Sequence, residues 1–380
     1  MSHFQLTEEH ELMRNIAREF AKTEVAPVTK TLDQAHEFPH ELVKRCAELN
    51  FLGIPIPDEY GGAGADSISE CLIIEEIAKE NGSLALIIDA HTSLGCMPLL
   101  LSGTEAQKQK YLVPAAKGEK LMSFGLTEPG SGSDAAASKT TAIPDGDEWV
   151  INGSKCWITN VGVAEIYIVT AKTDPDKGAR GISAFIIEKG TPGFEFGKVE
   201  KKMGLHSSAT GELIFRNCRV PKENLLGGLN KGFALFMKGL DEGRIAISAM
   251  AVGMAQGAFD RAVAYAKERV QFGKPIAEHQ AIAFYLAEMA TEIELARTML
   301  YRVAGMRDAG VPFTHEAAML KLFASEMCVR VCDKAVQIHG GNGYSQDYEV
   351  ERFLRDSKLL TIGEGTSEIC KMVISRTLLS

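Results

Sequence analysis

The chain is short of positive charge: 41 Lys and Arg stand against 50 Asp and Glu, a net charge of −9. That balance disfavours a general nucleic-acid role but leaves room for a local basic pocket, which would suit a phosphorylated small molecule. Its eight cysteines, at 46, 71, 96, 156, 218, 328, 332 and 370, include no Cys-x-x-Cys pair. Cys328 and Cys332 share a face of a predicted helix, but no His or Cys cluster accompanies them. Packed thiols are expected there, and no metal site. The opening Met-Ser-His-Phe-Gln-Leu-Thr-Glu-Glu-His lacks an apolar signal core. With the size of the chain, this favours a reducing compartment over disulfides. No uncharged run is long enough to span a bilayer. The longest, at 245–259, is rich in Ala, Gly and Met and reads as a tightly packed internal helix. Internal repeats and low-complexity segments are missing too.

What remains is a chain of 380 residues, 45% hydrophobic and 24% charged, ordinary for two or three globular domains. Residues 1–120 read as helical. Thr7 is placed to cap the first helix, with Glu8 and Glu9 in its first turn. Ser67-x-x-Glu70 and Thr104-x-x-Gln107 have the form of capping boxes, and Asn81-Gly82 stops the helix begun near Ser67. From 121 to 232 the period changes to two. Strands are predicted at 149–153, 166–169, 182–187 and 212–215, a pattern that leaves a small barrel and a sandwich both open. From 233 to 380 the helical period returns, with helices expected at 233–270, 277–308, 314–339 and 365–378, enough for a four-helix bundle. The fold class is therefore α+β.

Two stretches carry chemistry. Leu126-Thr127-Glu128-Pro129-Gly130-Ser131-Gly132-Ser133-Asp134 comes after a strand. Glycine lets a ligand approach such a turn closely, and successive N–H groups with Ser and Thr hydroxyls bind anions or carbonyl oxygens. It has neither the Gly-Lys-Ser/Thr of a Walker loop nor Rossmann spacing. By itself it is also compatible with a surface turn. Trp157-Ile158-Thr159-Asn160 pairs a ring able to cover a flat cofactor with a hydroxyl for its edge, or is an ordinary strand tryptophan. Farther on, Glu364 stands between Gly363 and Gly365, an unobstructed carboxylate that a dry pocket would make more basic.

These strings, at 124–134 and 157–160, continue at 269–274 (Arg-Val-Gln-Phe-Gly-Lys), 278–280, 337–343 and 364–368. Together, and in order, they resemble the acyl-CoA dehydrogenase family, close to its short-chain, butyryl-CoA dehydrogenase-like branch. The resemblance spans essentially the whole chain. It implies a helical domain at 1–120, a middle β-barrel or sandwich domain at 121–232 and a C-terminal four-helix bundle at 233–380. It implies FAD, with Phe124, Leu126, Thr127, Gly132, Ser133, Trp157 and Thr159 at the isoalloxazine ring. Arg269, Phe272, Gln280, Gln337, Gly340 and Gly341 match the pyrophosphate and adenosine side, shared across a subunit contact. Thr366 and Glu368 match an adenine-side turn. Ser133, Asp241, Arg244 and Gly365 match acyl-CoA contacts, and no metal is implied. Glu364 matches the base that takes the α-proton of a CoA thioester while the β-carbon gives hydride to flavin N5. The alternative family position for the base is Gly243 here, which has no proton acceptor. A homotetramer (a dimer of dimers) with electron-transferring flavoprotein as acceptor is implied. A cytoplasmic location is preferred, with the mitochondrial matrix for a eukaryotic form.

Two departures bear on substrate. Position 363 is Gly where many relatives carry Tyr. Asp89 interrupts an apolar run, and at helical spacing it shares a face with Thr92, Ser93 and Cys96. The resemblance places this helix beside the acyl pocket. Asp89 is then either an ion-paired structural residue or a second acid/base in a pocket for an alicyclic carboxyl-CoA. Ala85, where some relatives place an arginine, argues against glutaryl-CoA. An oxidase and a non-catalytic binding protein on the same scaffold are the remaining alternatives. The usual length of oxidases counts against the first, and the acidic charge and Glu364 against the second.

Overall fold

Local signals set the first helices. The computed structural model describes residues 6–379; the first five residues of the segment read for a signal core lie outside them. Helix α1 (Glu8–Phe20) starts at Thr7, whose Oγ1 accepts the His10 N–H while His10 Nδ1 accepts the Thr7 N–H, each at 3.2 Å. Helices α2 (Ala26–Ala35) and α3 (His40–Glu48) come next. Helix α4 (Ser67–Ala78) is capped by Asp66, one residue earlier than expected, its Oδ1 accepting the Ser69 N–H at 2.8 Å. Ser67 instead donates its N–H and hydroxyl to Asp308. Asn81 is more than a stop: its Oδ1 accepts the Leu84 N–H at 2.9 Å and so opens α5 (Gly82–His91). A π-turn over Thr92–Cys96 joins α5 to α6 (Met97–Ser102), and the short helices α7 (Glu105–Gln107) and α8 (Val113–Ala116) lie beyond it. Thr104 and Gln107 make both bonds of the expected capping box. Among the described residues, the run Gly82–Ser102 is long and apolar enough to cross a membrane, yet it is mostly buried inside the protein and serves as its core.

The middle of the chain forms one continuous eight-stranded sheet. Its strands are β1 (Met122–Gly125), β2 (Thr141–Asp145), β3 (Glu148–Thr159), β4 (Ile166–Lys172), β5 (Ile182–Glu188), β6 (Phe194–Val199), β7 (Thr210–Pro221) and β8 (Leu225–Leu226). The order is β6-β7-β3-β2-β4-β5-β8, with β1 parallel to β4 in register Phe124 to Ile168. The long β3–β7 pair shifts register twice, the second time between Lys155 and Ile158. Bulges of this kind re-aim side chains. Here one turns Trp157 outward with φ of 61°.

Helix α9 (Gly232–Glu268) leads to a small hairpin of β9 (Val270–Gln271) and β10 (Lys274–Pro275), then α10 (Gln280–Asp308) and α11 (Thr314–His339). Helix α12 (Val350–Leu360), which the periodicity does not separate out, precedes α13 (Ser367–Leu379). The segment 245–259 is a stretch of α9 buried on nearly all sides, as its composition indicates. Its glycines allow close approach: a Cβ on Gly253 would overlap the Glu75 carbonyl oxygen and lie 2.8 Å from Ala78 Cβ. Gly253→Ala is expected to lower stability by about 1–3 kcal/mol through overpacking. Chemical denaturation reads this, and an unchanged midpoint would contradict the close α9–α4 contact.

Candidate active site

Strand β1 and the turn after it meet β3 edge to edge. Cys156 donates its N–H to the Thr127 carbonyl at 2.9 Å, and Ser123 Oγ donates to the Thr159 carbonyl at 2.5 Å. The two stretches that the sequence singles out are thus one surface. Leu126 and Thr127 are half-buried, Gly132 and Ser133 are exposed, and Phe124 stacks on Phe236 with ring centroids 4.0 Å apart. Trp157 stands 60% exposed, free to cover a flat ligand.

A second group gathers where α9, the hairpin and α11 end. Arg269, Phe272, Gly340 and Gly341 line a cleft of about 520 Å³, beside Tyr265 and His279. Phe272 is 94% exposed, a large cost for an apolar ring left in water. Gln280 and Gln337 are exposed and outside this lining. Thr366 has a local task, its Oγ1 accepting the Ile369 N–H at 3.3 Å at the start of α13; Glu368 is exposed beside it.

The third group surrounds Glu364, in the turn between α12 and α13. Its backbone is left-handed, φ 54°, and is followed by Gly365 at φ 96°. Such a conformation in a non-glycine residue is strained and clusters at functional sites. The carboxylate projects onto α9, where a Cβ on Gly243 would overlap Glu364 Oε2. Glu364 Oε2 is hidden from solvent and has no donor unless Asp89 carries a proton. Burial pushes the Glu364 carboxyl above its ordinary range; a hydrogen bond from Asp89 and the charges of Lys321 and Arg244 pull the other way. Arg244 is buried, donates to Asp241 at 2.7 Å, and approaches Gly365. Asp241 also accepts from Thr314 at 2.6 Å. At Gly363 a Cβ would meet nothing nearer than Leu359 at 3.7 Å, so the missing side chain leaves usable room.

Asp89 is fully buried; neither of its oxygens meets a donor in good hydrogen-bond geometry, although the Ser93 hydroxyl lies close enough to favour its ionised form. No ion pair satisfies it. Burial, and then the neighbouring Glu364 charge, push its carboxyl well above the usual carboxylate range. Two carboxylates that face each other are both acceptors, so the pair needs a proton between them. Of the expected four-residue face, Ser93 reaches Asp89, whereas Thr92 and Cys96 have other partners. Thr92 Oγ1 bonds back to the Ile88 carbonyl at 3.0 Å, and Cys96 lies 3.6 Å from His91 Nε2 and 3.7 Å from Met122 Sδ. The π-turn adds a residue and rotates the helix beyond it. All eight cysteines are free and buried.

Lys321 joins the site without having been expected there. It is fully buried in α11, donates to the Gly365 carbonyl at 2.5 Å, and faces Glu364. Burial pushes its ammonium down, opposed by Cys370 and Glu364. Its one signal in the sequence is a lysine on the Ala317, Ala324, Cys328 stripe, which is otherwise apolar.

These surfaces fit FAD. Trp157 offers an open ring face, and a Cβ on Gly130 or Gly132 would meet nothing within 4 Å, which leaves space over the turn. In the cleft, Arg269 suits a pyrophosphate, and Gly340 and Gly341 are likewise unobstructed.

Models of the acyl-CoA dehydrogenase N-terminal, middle and C-terminal domains match residues 7–119, 123–218 and 230–379. The chain is 50% identical over 372 residues to the short-chain-specific acyl-CoA dehydrogenase of Clostridium acetobutylicum, with 98% of each chain covered. Butyryl-CoA dehydrogenase from Megasphaera elsdenii is similar in structure, with a TM-score of 0.98, 45% identity and 100% of both chains covered. A chain in the solved structure of the electron transferring flavoprotein of Acidaminococcus fermentans matches with the same TM-score of 0.98, 48% identity and full coverage of both. With matches along almost its whole length, the chain belongs to the acyl-CoA dehydrogenase family, FAD-dependent enzymes with short-chain and butyryl-CoA dehydrogenases among this chain's relatives.

Proposed function

We propose that the chain oxidises a short-chain, branched or cyclic acyl-CoA thioester to its enoyl-CoA, with Glu364 as the base. The observation that carries this is the Oε2 of Glu364, hidden from solvent against Gly243 and beside Asp89. Shielding a carboxylate from water makes it more basic, and so better able to take a proton from the substrate. FAD, when bound, supplies the acceptor for the hydride leaving the β-carbon. Glu364 takes the α-proton; Lys321 holds the carbonyl of Gly365 and so the turn that carries the base. Asp241 and Arg244 orient the thioester, and Ser133 meets the acyl-CoA beside the flavin turn. Arg269, Phe272, Gln280, Gln337, Gly340 and Gly341 hold the adenosine side of FAD with a second subunit, which buries Phe272 and makes the enzyme a homotetramer. Thr366 and Glu368 belong to that side. The helical, sheet and bundle units at 1–120, 121–232 and 233–380 act as three domains. Electron-transferring flavoprotein takes the electrons, in the cytoplasm.

A second reading rests on Asp89, buried and unsatisfied beside the base. In it the substrate is an alicyclic carboxyl-CoA, with Asp89 a second acid/base near a ring carbon beyond the β position. Anaerobic titration of the flavin band near 450 nm (about the cofactor's own maximum) with butyryl-CoA, isobutyryl-CoA and cyclohexane-carboxyl-CoA separates the readings. A clear preference for butyryl-CoA ends the ring proposal. No bleaching by any thioester ends both.

A further inference from the structure

Lys155 lies on β3 with its side chain fully buried, two residues before Trp157. All three donors of its ammonium are used. They reach the Leu126 carbonyl at 3.1 Å, Glu128 Oε1 at 2.8 Å and Thr170 Oγ1 at 3.1 Å. Glu128 is buried too. Its Oε2 accepts the Lys139 N–H at 2.5 Å and its Oε1 the Thr140 N–H at 3.0 Å. The Glu128 backbone closes the turn on Ser131 with bonds of 3.1 and 3.0 Å. One ion pair thus ties the start of the turn, its far end and β3 together.

Stability alone does not explain the pair. Removing two charges from water is costly, and a well-packed apolar replacement is often neutral or stabilising. What it supplies is a fixed direction for backbone groups. The Leu126 carbonyl is held from beneath by Lys155, and the Thr127 carbonyl by Cys156 at 2.9 Å, next to the bulge that exposes Trp157. We infer that Lys155 and Glu128 are positioning residues for the flavin: they hold the turn 126–134 and the Trp157 segment in one geometry, so that their donors meet the ring edge without rearranging. The inference rests on assigning that turn to FAD.

The test uses two variants, Lys155→Met and the double Lys155→Met/Glu128→Gln, with FAD affinity, visible circular dichroism of the flavin and thermal midpoint measured on each. The double variant removes both buried charges and keeps an acceptor for one of the two N–H groups. Its thermal midpoint is expected near that of the wild type, while FAD binds about tenfold or more weakly, the equivalent of one or two hydrogen bonds, and the flavin bands change. Wild-type affinity and bands in the double variant would overturn the inference. So would FAD loss that merely tracks the thermal midpoint and recovers with it. Gly132→Leu tests the underlying assignment, since its side chain enters open space over the turn and leaves the fold alone. If it binds FAD normally, the turn is not a flavin contact and the inference falls with it. If it loses FAD while the double variant does not, the inference alone fails.

Discussion

Glu364→Gln is expected to stay folded, retain FAD and bind acyl-CoA, yet bleach about 10³-fold more slowly, within the range for losing a positioned general base. Glutamine matches the shape of glutamate but has no useful proton affinity. It also brings an N–H donor that can meet Asp89, so the variant is not penalised by a new unsatisfied group. Stopped-flow absorbance under anaerobic conditions measures the rate, and full-rate bleaching would remove Glu364 from its role. The pH profile adds a check. As the proposed base, Glu364 would work ionised, and burial raises its carboxyl. The acid limb of kcat/KM should therefore lie above the ordinary glutamate value of about 4.3.

Asp89 carries the second large effect. Asp89→Asn keeps a donor toward Glu364 but loses the ability to exchange a proton. If the substrate is a ring acid, bleaching by cyclohexane-carboxyl-CoA should fall about 100-fold or more, with butyryl-CoA little changed. Equal effects on both would leave Asp89 no ring-specific task. Asp89→Leu removes the donor as well, so Glu364 should titrate higher and the acid limb should move up in pH. Stability changes with the same shift. A carboxyl raised in the folded state binds more protons there than when unfolded, so it costs stability above the ordinary Asp value of about 3.9, increasingly until the raised value is passed. Asp89→Asn should therefore stabilise the protein at neutral pH and lose that advantage on acidification, as denaturation midpoints across pH would show.

Much of the fold and site is legible in the sequence because it is local. The period-two stretch, the Thr104 box and the Glu364 loop are each written in a few neighbouring residues. The features that escape depend on partners far along the chain. Asp66 caps α4 because Ser67 is engaged by Asp308, 241 residues away. Helix α12 is hidden between two stronger signals, although its apolar face is regular. The shared face of Asp89 and Cys96 assumes a period of 3.6, which the π-turn interrupts. Lys321 looks like a solvated charge because nothing local says that a carbonyl 44 residues later waits for it.

The collision between a side chain at 243 and the carboxylate of Glu364 limits how such an enzyme can change. The space over Gly243 holds the end of the Glu364 side chain, so a side chain introduced at 243 must displace that carboxylate. Relocating the base by design should empty position 364 before filling position 243.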